Sequence, residues 1–378
     1  MKFLHLSDLH LGKRVNEFSM AEDQKYILDQ IIEIAEDEKP DGIFIAGDVY
    51  DKSVPSVEAV GLFNDFLNQM AQRHQRVFVI SGNHDSPERL AFASELISHS
   101  GIYISPVYDG CVEPISLEDT YGTVNIFLLP FIKPVHVRRA FPDEPAESYT
   151  DALRTAVSHM EVDESQRNVL IAHQFVTGAK RSESEEISVG GIDNVDVSVF
   201  DAFDYVALGH IHGPQHIGRD SVRYCGTPLK YSFSEAAHCK SATIAELMEK
   251  GNLQIRTREL IPQRDMRELK GTYEELASRE NYAGTALEDY IHITLTDEDD
   301  ILDAMAKLRV IYPNLMKLDY DNKRTRGSTE ITEEEDRRGK TPLELLEEFY
   351  RQQNHQDMSE EQIAFASGLI EKIWEEKI

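Results

Sequence analysis

Two short patterns, Asp8-x-His10 and His210-x-His212, stand far apart in the chain. Between them lie Gly47-Asp48, Gly82-Asn83-His84-Asp85 and an isolated His173. Carboxylate, amide oxygen and imidazole are the donors that divalent manganese, iron or zinc accept. The cysteines Cys111, Cys225 and Cys239 are well separated and form no CxxC pair. Three reduced structural thiols are expected, so any metal must be held by oxygen and nitrogen. On extended chain, residues two apart point to one side, which predicts that Asp8 faces with His10 and His210 with His212. Glycine before Asp48, Asn83 and His210 allows a sharp backbone turn close to an ion.

Each pattern alone is weak. A DxH pair is background, GD carries almost nothing, and GHxH could be a surface turn with two solvated histidines. Asp85 could be an ordinary acid at a helix start. The order of the patterns and their positions after strands give the set its weight. Apolar, β-branched runs occupy 3–6, 42–46, 77–80, 125–129, 169–172 and 205–208. Between the first two, Ile27, Ile31, Ile34 and Ala35 recur at helical spacing. Strands apolar on both faces and separated by helices predict an α/β layered fold. Ligands of such sheets sit beyond the carboxyl ends of the strands. Strand ends therefore deliver Asp8, His10, Asp48, Asn83, His173, His210 and His212 to one rim as a metal set.

Further along, 222–245 reads as additional strand with a turn at 223–228, and 255–270 turns polar. The stretches 290–295 and 315–320 read as strands and 299–310 as a helix, a small α+β module. Residues 323–340 are charged and lack apolar periodicity, the pattern of a linker. Thr341-Pro342-Leu343-Glu344 and Ser359 with Gln362 are helix-start signals. The last helix would carry Ile363, Ala366, Ile370, Ile373 and Trp374 on one face. The expected organisation is a first domain at 1–250, a small domain at 251–322, the linker at 323–340 and a helix pair at 341–378.

The 378 residues suffice for two or three domains, with 41% apolar residues. No apolar run approaches the roughly 18–20 residues of a membrane span. Phe3-Leu4-His5-Leu6 reaches Asp8 too soon for a secretory signal, so a cytoplasmic location without membrane contact is expected. The net charge of -29 argues against nucleic-acid binding. Lys13-Arg14, Arg138-Arg139, Lys180-Arg181 and Lys230 are local exceptions; such groups are more often solvated surface cations.

The ordered series Asp8-x-His10, Gly47-Asp48, Gly82-Asn83-His84-Asp85, His173, Gly209-His210-x-His212 resembles the calcineurin-like metallophosphoesterase superfamily. That resemblance implies an αββα two-sheet sandwich with a dinuclear centre at its rim. Asp8, His10 and His212 would bind one metal, Asn83, His173 and His210 the other, and Asp48 would bridge them. The cofactors would be two divalent ions, manganese first, with iron or magnesium as alternatives. Such ions lower the pKa of a water, orient the phosphate and neutralise developing charge. His84 and Asp85 are the catalytic candidates: His84 to contact the scissile phosphate and assist the leaving oxygen, Asp85 to orient His84 or a neighbour.

Residues 3–12, Gly47-Asp48-Val49-Tyr50-Asp51 with Pro55-Ser56, Ser188-Val189-Gly190-Gly191, Tyr224-Cys225-Gly226-Thr227-Pro228 and Ser232-Phe233-Ser234-Glu235 are similar to the SbcD nuclease family. Asp51 marks the bacterial branch, since archaeal and eukaryotic members place a histidine there. The resemblance implies a metal-dependent DNA nuclease, a double-strand exonuclease and single-strand or hairpin endonuclease, acting in repair and recombination. It implies a homodimer within a heterotetramer with an SbcC-type ABC ATPase. The small module would position DNA as a capping domain, and the C-terminal helices would dock on the ATPase. The two ions would add about four positive charges where phosphate sits. The alternative is a stand-alone phosphodiesterase or phosphatase for small nucleotides, which would not need the chain after residue 240.

Overall fold

A computed structural model describes residues 1–185 and 193–323, and beyond them 343, 346–347, 349–351, 357–359, 362–367 and 369. Two six-stranded sheets form the body. In the first, Lys2–Leu6, Gly42–Ala46, Val77–Ile80 and Ile102–Ile104 run parallel. Ser241–Leu247 adds antiparallel to Lys2–Leu6, and Leu253–Glu259 pairs outside it. In the second, Gly122–Leu128, Arg167–His173, Tyr205–Gly209 and Arg219–Tyr224 run parallel, flanked by antiparallel Ile115–Asp119 and Gln215–Ile217.

The apolar runs are continuous because each central strand is covered on both sides. Between the sheets, Phe3, Phe44 and Phe78 meet Ile126, Val169, Ile171, Tyr205 and Ala207, all buried. Phe3 stacks on Phe44 at 4.6 Å and Phe44 meets Phe78 edge-on at 5.7 Å. The outer face of the first sheet is covered by the helices Ala21–Glu38 and Val57–Gln72, which supply Ile27, Ile31, Phe63 and Phe66. Tyr149–Ser158 covers the second through Ala152, Leu153 and Ala156. The architecture is the αββα sandwich.

Local signals set the helix limits. Ser56 accepts from the Ala59 N–H at the start of Val57–Gln72. Ala21–Glu38 stops at Lys39, which is left-handed at φ 49 and precedes Pro40.

The domain boundary expected after residue 250 moves toward the C-terminus. Leu253–Glu259 pairs with Ser241–Leu247 over its whole length and so belongs to the first sheet. It reads as polar because an edge strand with one solvated face keeps apolar residues only at alternate positions. The small module consists of the parallel strands Met266–Gly271, Tyr290–Leu295 and Leu315–Tyr320. Its own core holds Ile291, Ile293, Leu295, Leu308, Tyr312 and Leu315. The helix expected at 299–310 is shorter, Ala304–Arg309, and begins after Asp303 at φ 56. The run Asp297-Glu298-Asp299-Asp300 stays non-helical.

Near the C-terminus Ser359 N–H donates to Gln362 Oε1 (2.9 Å), Gln362 N–H donates back to Ser359 Oγ (3.3 Å), and 362–367 are helical. Residues 324–340 of the linker expected at 323–340, the Thr341-Pro342 signal, the Ile370, Ile373 and Trp374 positions and the 188–191 motif lie outside the described residues. Among the described residues no helix is long and apolar enough to cross a membrane.

Candidate metal centre

The metal-set residues lie at or just beyond strand ends, and their backbones are unusual. Asp8 (φ 53), His10 (φ 45), Asp48 (φ 49) and His210 (φ 100) all have positive φ. For residues other than glycine this costs about 1–2 kcal/mol each, and such strain collects at functional sites. Backbone bonds hold the first two loops side by side: Asp8 N–H to Gly47 O (3.0 Å) and His10 N–H to Asp48 O (2.9 Å). Asp8 and His10 therefore do not converge through strand alternation, as their spacing suggested. Left-handed turns aim them.

The three glycines also act differently from expectation. Gly47 turns the chain at φ +86. Gly82 and Gly209 lack positive φ and are needed for close approach. A Cβ at Gly82 would lie 2.0 Å from Asp48 Oδ1, and one at Gly209 1.8 Å from Ala46 O.

All seven residues of the set converge. Ligand atoms of Asp8, His10 and His212 lie within 4.8 Å of one another, as do those of Asp8, Asp48 and His173. Asn83 Oδ1 stands 3.0 Å from His173 Nε2 and 2.9 Å from His210 Nδ1. Asp48 Oδ2 lies 3.3 Å from His173 Nε2, 3.8 Å from His10 Nε2 and 4.0 Å from His84 Nε2. Asp48 is thus central to both groups. His84 belongs to a third cluster with His10 and Asp48.

The donors fit a pair of cations. His10 Nε2 and His212 Nε2 face each other at 3.2 Å, a contact that needs a shared proton or a cation between the lone pairs. His10 Nδ1 is buried and has no hydrogen-bond partner. Burial pushes His10 well below its ordinary pKa, and burial followed by the His173 charge pushes His210 to about 3, so both rings are neutral. Burial also pulls His173 down, but the Asp48 and Asp8 carboxylates carry it up to about 9. An imidazole must be neutral to ligate, so a cation held by His173 and Asp48 would compete with that proton.

Surrounding groups fix the rings. Ser184 Oγ accepts from His212 Nδ1 (2.6 Å) and donates to Glu235. That bond leaves His212 Nε2 as the lone-pair atom facing the site. Lys240 Nζ donates to Glu235 (2.5 Å), Thr227 (2.7 Å) and the His212 carbonyl (2.9 Å). Glu185 accepts from the His212 N–H at 2.6 Å. His173 Nδ1 donates to Ala46 O at 2.8 Å. His84 Nδ1 donates to Asp51 O at 3.0 Å, which frees its Nε2. His84 is also the open member, with 19% of its side chain exposed against 1% for His10.

Asp85 does not touch His84. Its carboxylate accepts from the N–H groups of Val49 (3.1 Å), Tyr50 (2.9 Å) and Gly82 (2.9 Å). It pins the loops that carry Asp48 and Asn83, the orienting of a neighbouring group that the sequence allowed for Asp85. Burial and the Asp48 charge push it to about 6 despite these bonds.

Sequence reasoning missed Ser184, Glu185, Glu235 and Lys240 as parts of the site, and Gln24, whose Nε2 donates to His10 O at 2.7 Å. The Gly226-Thr227-Pro228 and Ser232–Glu235 motifs were visible, but nothing in them indicated the chemistry they support. Several of the local cations singled out in the sequence are engaged internally. Lys13 pairs with Asp51 (2.7 Å), Lys230 with Asp265 (2.7 Å), Arg181 with Asp193 (2.9 Å), and Arg138 donates to Ala146 O (2.7 Å).

Known proteins resemble this chain at two levels. Residues 1–214 match the calcineurin-like phosphoesterase family, and 262–354 match the type 5 capsule protein repressor C-terminal domain. The SbcD subunit of the SbcCD nuclease from Staphylococcus epidermidis is 35% identical over 372 residues, covering 96% of each chain. Two solved structures also align. A dimetal phosphatase from Danio rerio has a TM-score of 0.43 and 10% identity over 69% of this chain and 96% of its own. A Thermus thermophilus protein has a TM-score of 0.38 and 14% identity over 68% and 98%. With the first domain matching one model and nearly its whole length matching a curated relative, the chain belongs to the SbcD family of calcineurin-like phosphoesterases.

Proposed function

We propose that this phosphoesterase is a metal-dependent DNA nuclease working with an SbcC-type ATPase, and that Asp8, His10, Asp48, Asn83, His173, His210 and His212 hold two divalent ions. The reading is carried by Asp48, whose Oδ2 lies within 4.0 Å of His10, His84 and His173, which supports a bridging role. Asp8, His10 and His212 would hold one ion, Asn83, His173 and His210 the other. Bound there, the ions would lower the pKa of a water, orient the phosphate and neutralise its developing charge. Oxygen and nitrogen donors without thiolate suit manganese, with iron or magnesium as alternatives.

The protein's own groups do the rest. Ser184, Glu235 and Lys240 hold His212 in one tautomer and orientation, and Asp85 fixes the Asp48 and Asn83 loops. His84 Nε2 faces the opening and would assist the leaving oxygen as the phosphorus–oxygen bond breaks. The small module would position DNA over this opening, and the C-terminal segment would dock on the ATPase. Two copies would assemble with the ATPase as a heterotetramer in the cytoplasm.

The relative's name and its near-complete coverage favour polynucleotide over small nucleotide. The net charge of -29 favours the second reading, a stand-alone phosphodiesterase for small nucleotides. A nuclease assay on linear and hairpin DNA with manganese, with and without ATPase and ATP, decides between them. Hydrolysis of small cyclic or linear nucleotides with no cleavage of either DNA would reject the nuclease.

A further inference from the structure

A groove of about 640 Å³ borders the segment that follows His212, lined by Lys180, Arg181, Ser182, Gln215, His216 and His238 along with small or uncharged residues. We propose that this groove is the track for the phosphodiester backbone of the substrate strand as it leaves the metal centre. The inference rests on the nuclease reading and adds the path of the strand.

The lining charge is the first observation. The chain has 68 acidic against 39 basic residues, yet among the described residues no carboxylate lines this groove. Lys180 is exposed and makes no ion pair among the described residues. Arg181 is paired with Asp193 at 2.9 Å, and His216 lies 3.5 Å from Asp220.

Continuity with the site is the second. Gly213, which lines the groove, directly follows His212. Arg181 lies over the Phe175 ring at 3.6 Å, and that ring packs against His210. Ser184 clamps His212 from the same segment as Lys180 and Arg181. The third observation is an unsatisfied group: His238 Nδ1 is buried without a hydrogen-bond partner. A ligand that enters this groove must be polyanionic and continuous with the phosphoester being cut. A nucleic-acid strand is both, whereas an acidic peptide is only the first. Phosphate contacts of this kind position a strand without reading its sequence.

The test uses the full-length chain carrying Cys111→Ser, so that Cys239, which lines the groove, is the one exposed thiol among the described cysteines. Iodoacetamide labelling of Cys239 is followed with and without a saturating oligonucleotide, whose binding is read independently by fluorescence anisotropy. Labelling should slow about tenfold when the strand is bound. In parallel, Lys180→Glu should raise KM for the oligonucleotide about tenfold, flatten its salt dependence by roughly 0.7 in log–log slope, and leave hydrolysis of bis(p-nitrophenyl) phosphate unchanged. Unprotected Cys239 in a bound complex, or a normal KM in Lys180→Glu, would overturn the track while leaving the nuclease reading intact. Protection by polyglutamate but not by oligonucleotide would overturn it in favour of an acidic protein partner. Intact small-ester hydrolysis with no oligonucleotide cleavage at all would remove the nuclease reading and the track with it.

Discussion

Asp23 and Gln24 are neighbours on the first turn of Ala21–Glu38, yet they hold two different parts of the molecule. Asp23 accepts from Arg264 (2.7 and 3.1 Å) and from the Tyr290 hydroxyl (2.6 Å), both in or leading into the small module. Gln24 accepts from the Gly12 N–H (3.0 Å) and donates to His10 O (2.7 Å) and the Tyr231 hydroxyl (3.0 Å). One helix turn therefore ties the module to the loop that carries His10. Removing the Arg264 head in Arg264→Ala leaves the buried Asp23 without its counter-charge, held by the Tyr290 hydroxyl alone among the partners named, which should cost about 3 kcal/mol. Urea unfolding would measure the loss, and hydrogen exchange should rise in Met266–Gly271 before it rises in the central strands. Unchanged exchange in that strand would show that the knot does not hold the module.

Asp48 is the carboxylate shared by the two ligand groups. Asp48→Asn keeps its shape and removes its charge. Manganese bound per chain, counted by mass spectrometry after gel filtration, should fall from two to one or fewer, with hydrolysis lost. Retention of both ions would refute a bridging role.

Ser184 and Glu235 support His212 without facing the opening. Ser184→Ala and Glu235→Gln should each weaken metal binding about 10- to 100-fold, the usual effect of losing a ligand's supporting partner. Activity should return at high manganese, since the ligand itself remains. Activity that stays low at saturating metal would place these residues in catalysis instead.

His84 has its Nδ1 tied to Asp51 O and its Nε2 free. His84→Gln should keep two ions and lower kcat by about 10²–10⁴ with a smaller change in KM. A fully active variant would remove the assigned role.

Glu38 closes the far end of Ala21–Glu38 by accepting from Arg256 (2.8 Å) and Arg258 (2.7 Å) on the edge strand Leu253–Glu259. The Arg256 hydrogen bond, opposed by burial and helped by Arg258, lowers its pKa from 4.5 to about 2. A depressed carboxylate contributes stability above its unfolded value, here above about pH 4.5, and loses it as pH falls toward 2. With both arginines more than a third exposed, the contribution is discounted to about 1–2 kcal/mol. Glu38→Gln should therefore destabilise the protein by that amount at pH 7 and by progressively less below pH 4. A difference that does not vary with pH would assign the effect to packing.

The six central strands of the body, the helix carrying Ile27, Ile31, Ile34 and Ala35, and the converging Asp, Asn and His residues were legible in the sequence, whereas the short outer strands Ile102–Ile104, Ile115–Asp119 and Gln215–Ile217 were not. Continuous β-branched runs mark doubly covered strands, and donor types mark a metal whatever their geometry. The placement of Leu253–Glu259 was not legible, because a half-solvated edge strand looks polar and only its partner Ser241–Leu247 assigns it to a sheet. The reason Asp8 joins His10 was not legible either. A spacing of two suggests an extended chain, while the actual left-handed turns depend on the Gly47 and Asp48 carbonyls that receive their N–H groups. The same holds for Asp85, whose three backbone partners come from two loops, and for Ser184, Glu235 and Lys240 around His212. Chain order records which chemistry is available, because that depends on residue type. Only the packed loops decide which group faces the opening and which holds another in place, because that depends on contacts between segments far apart in sequence.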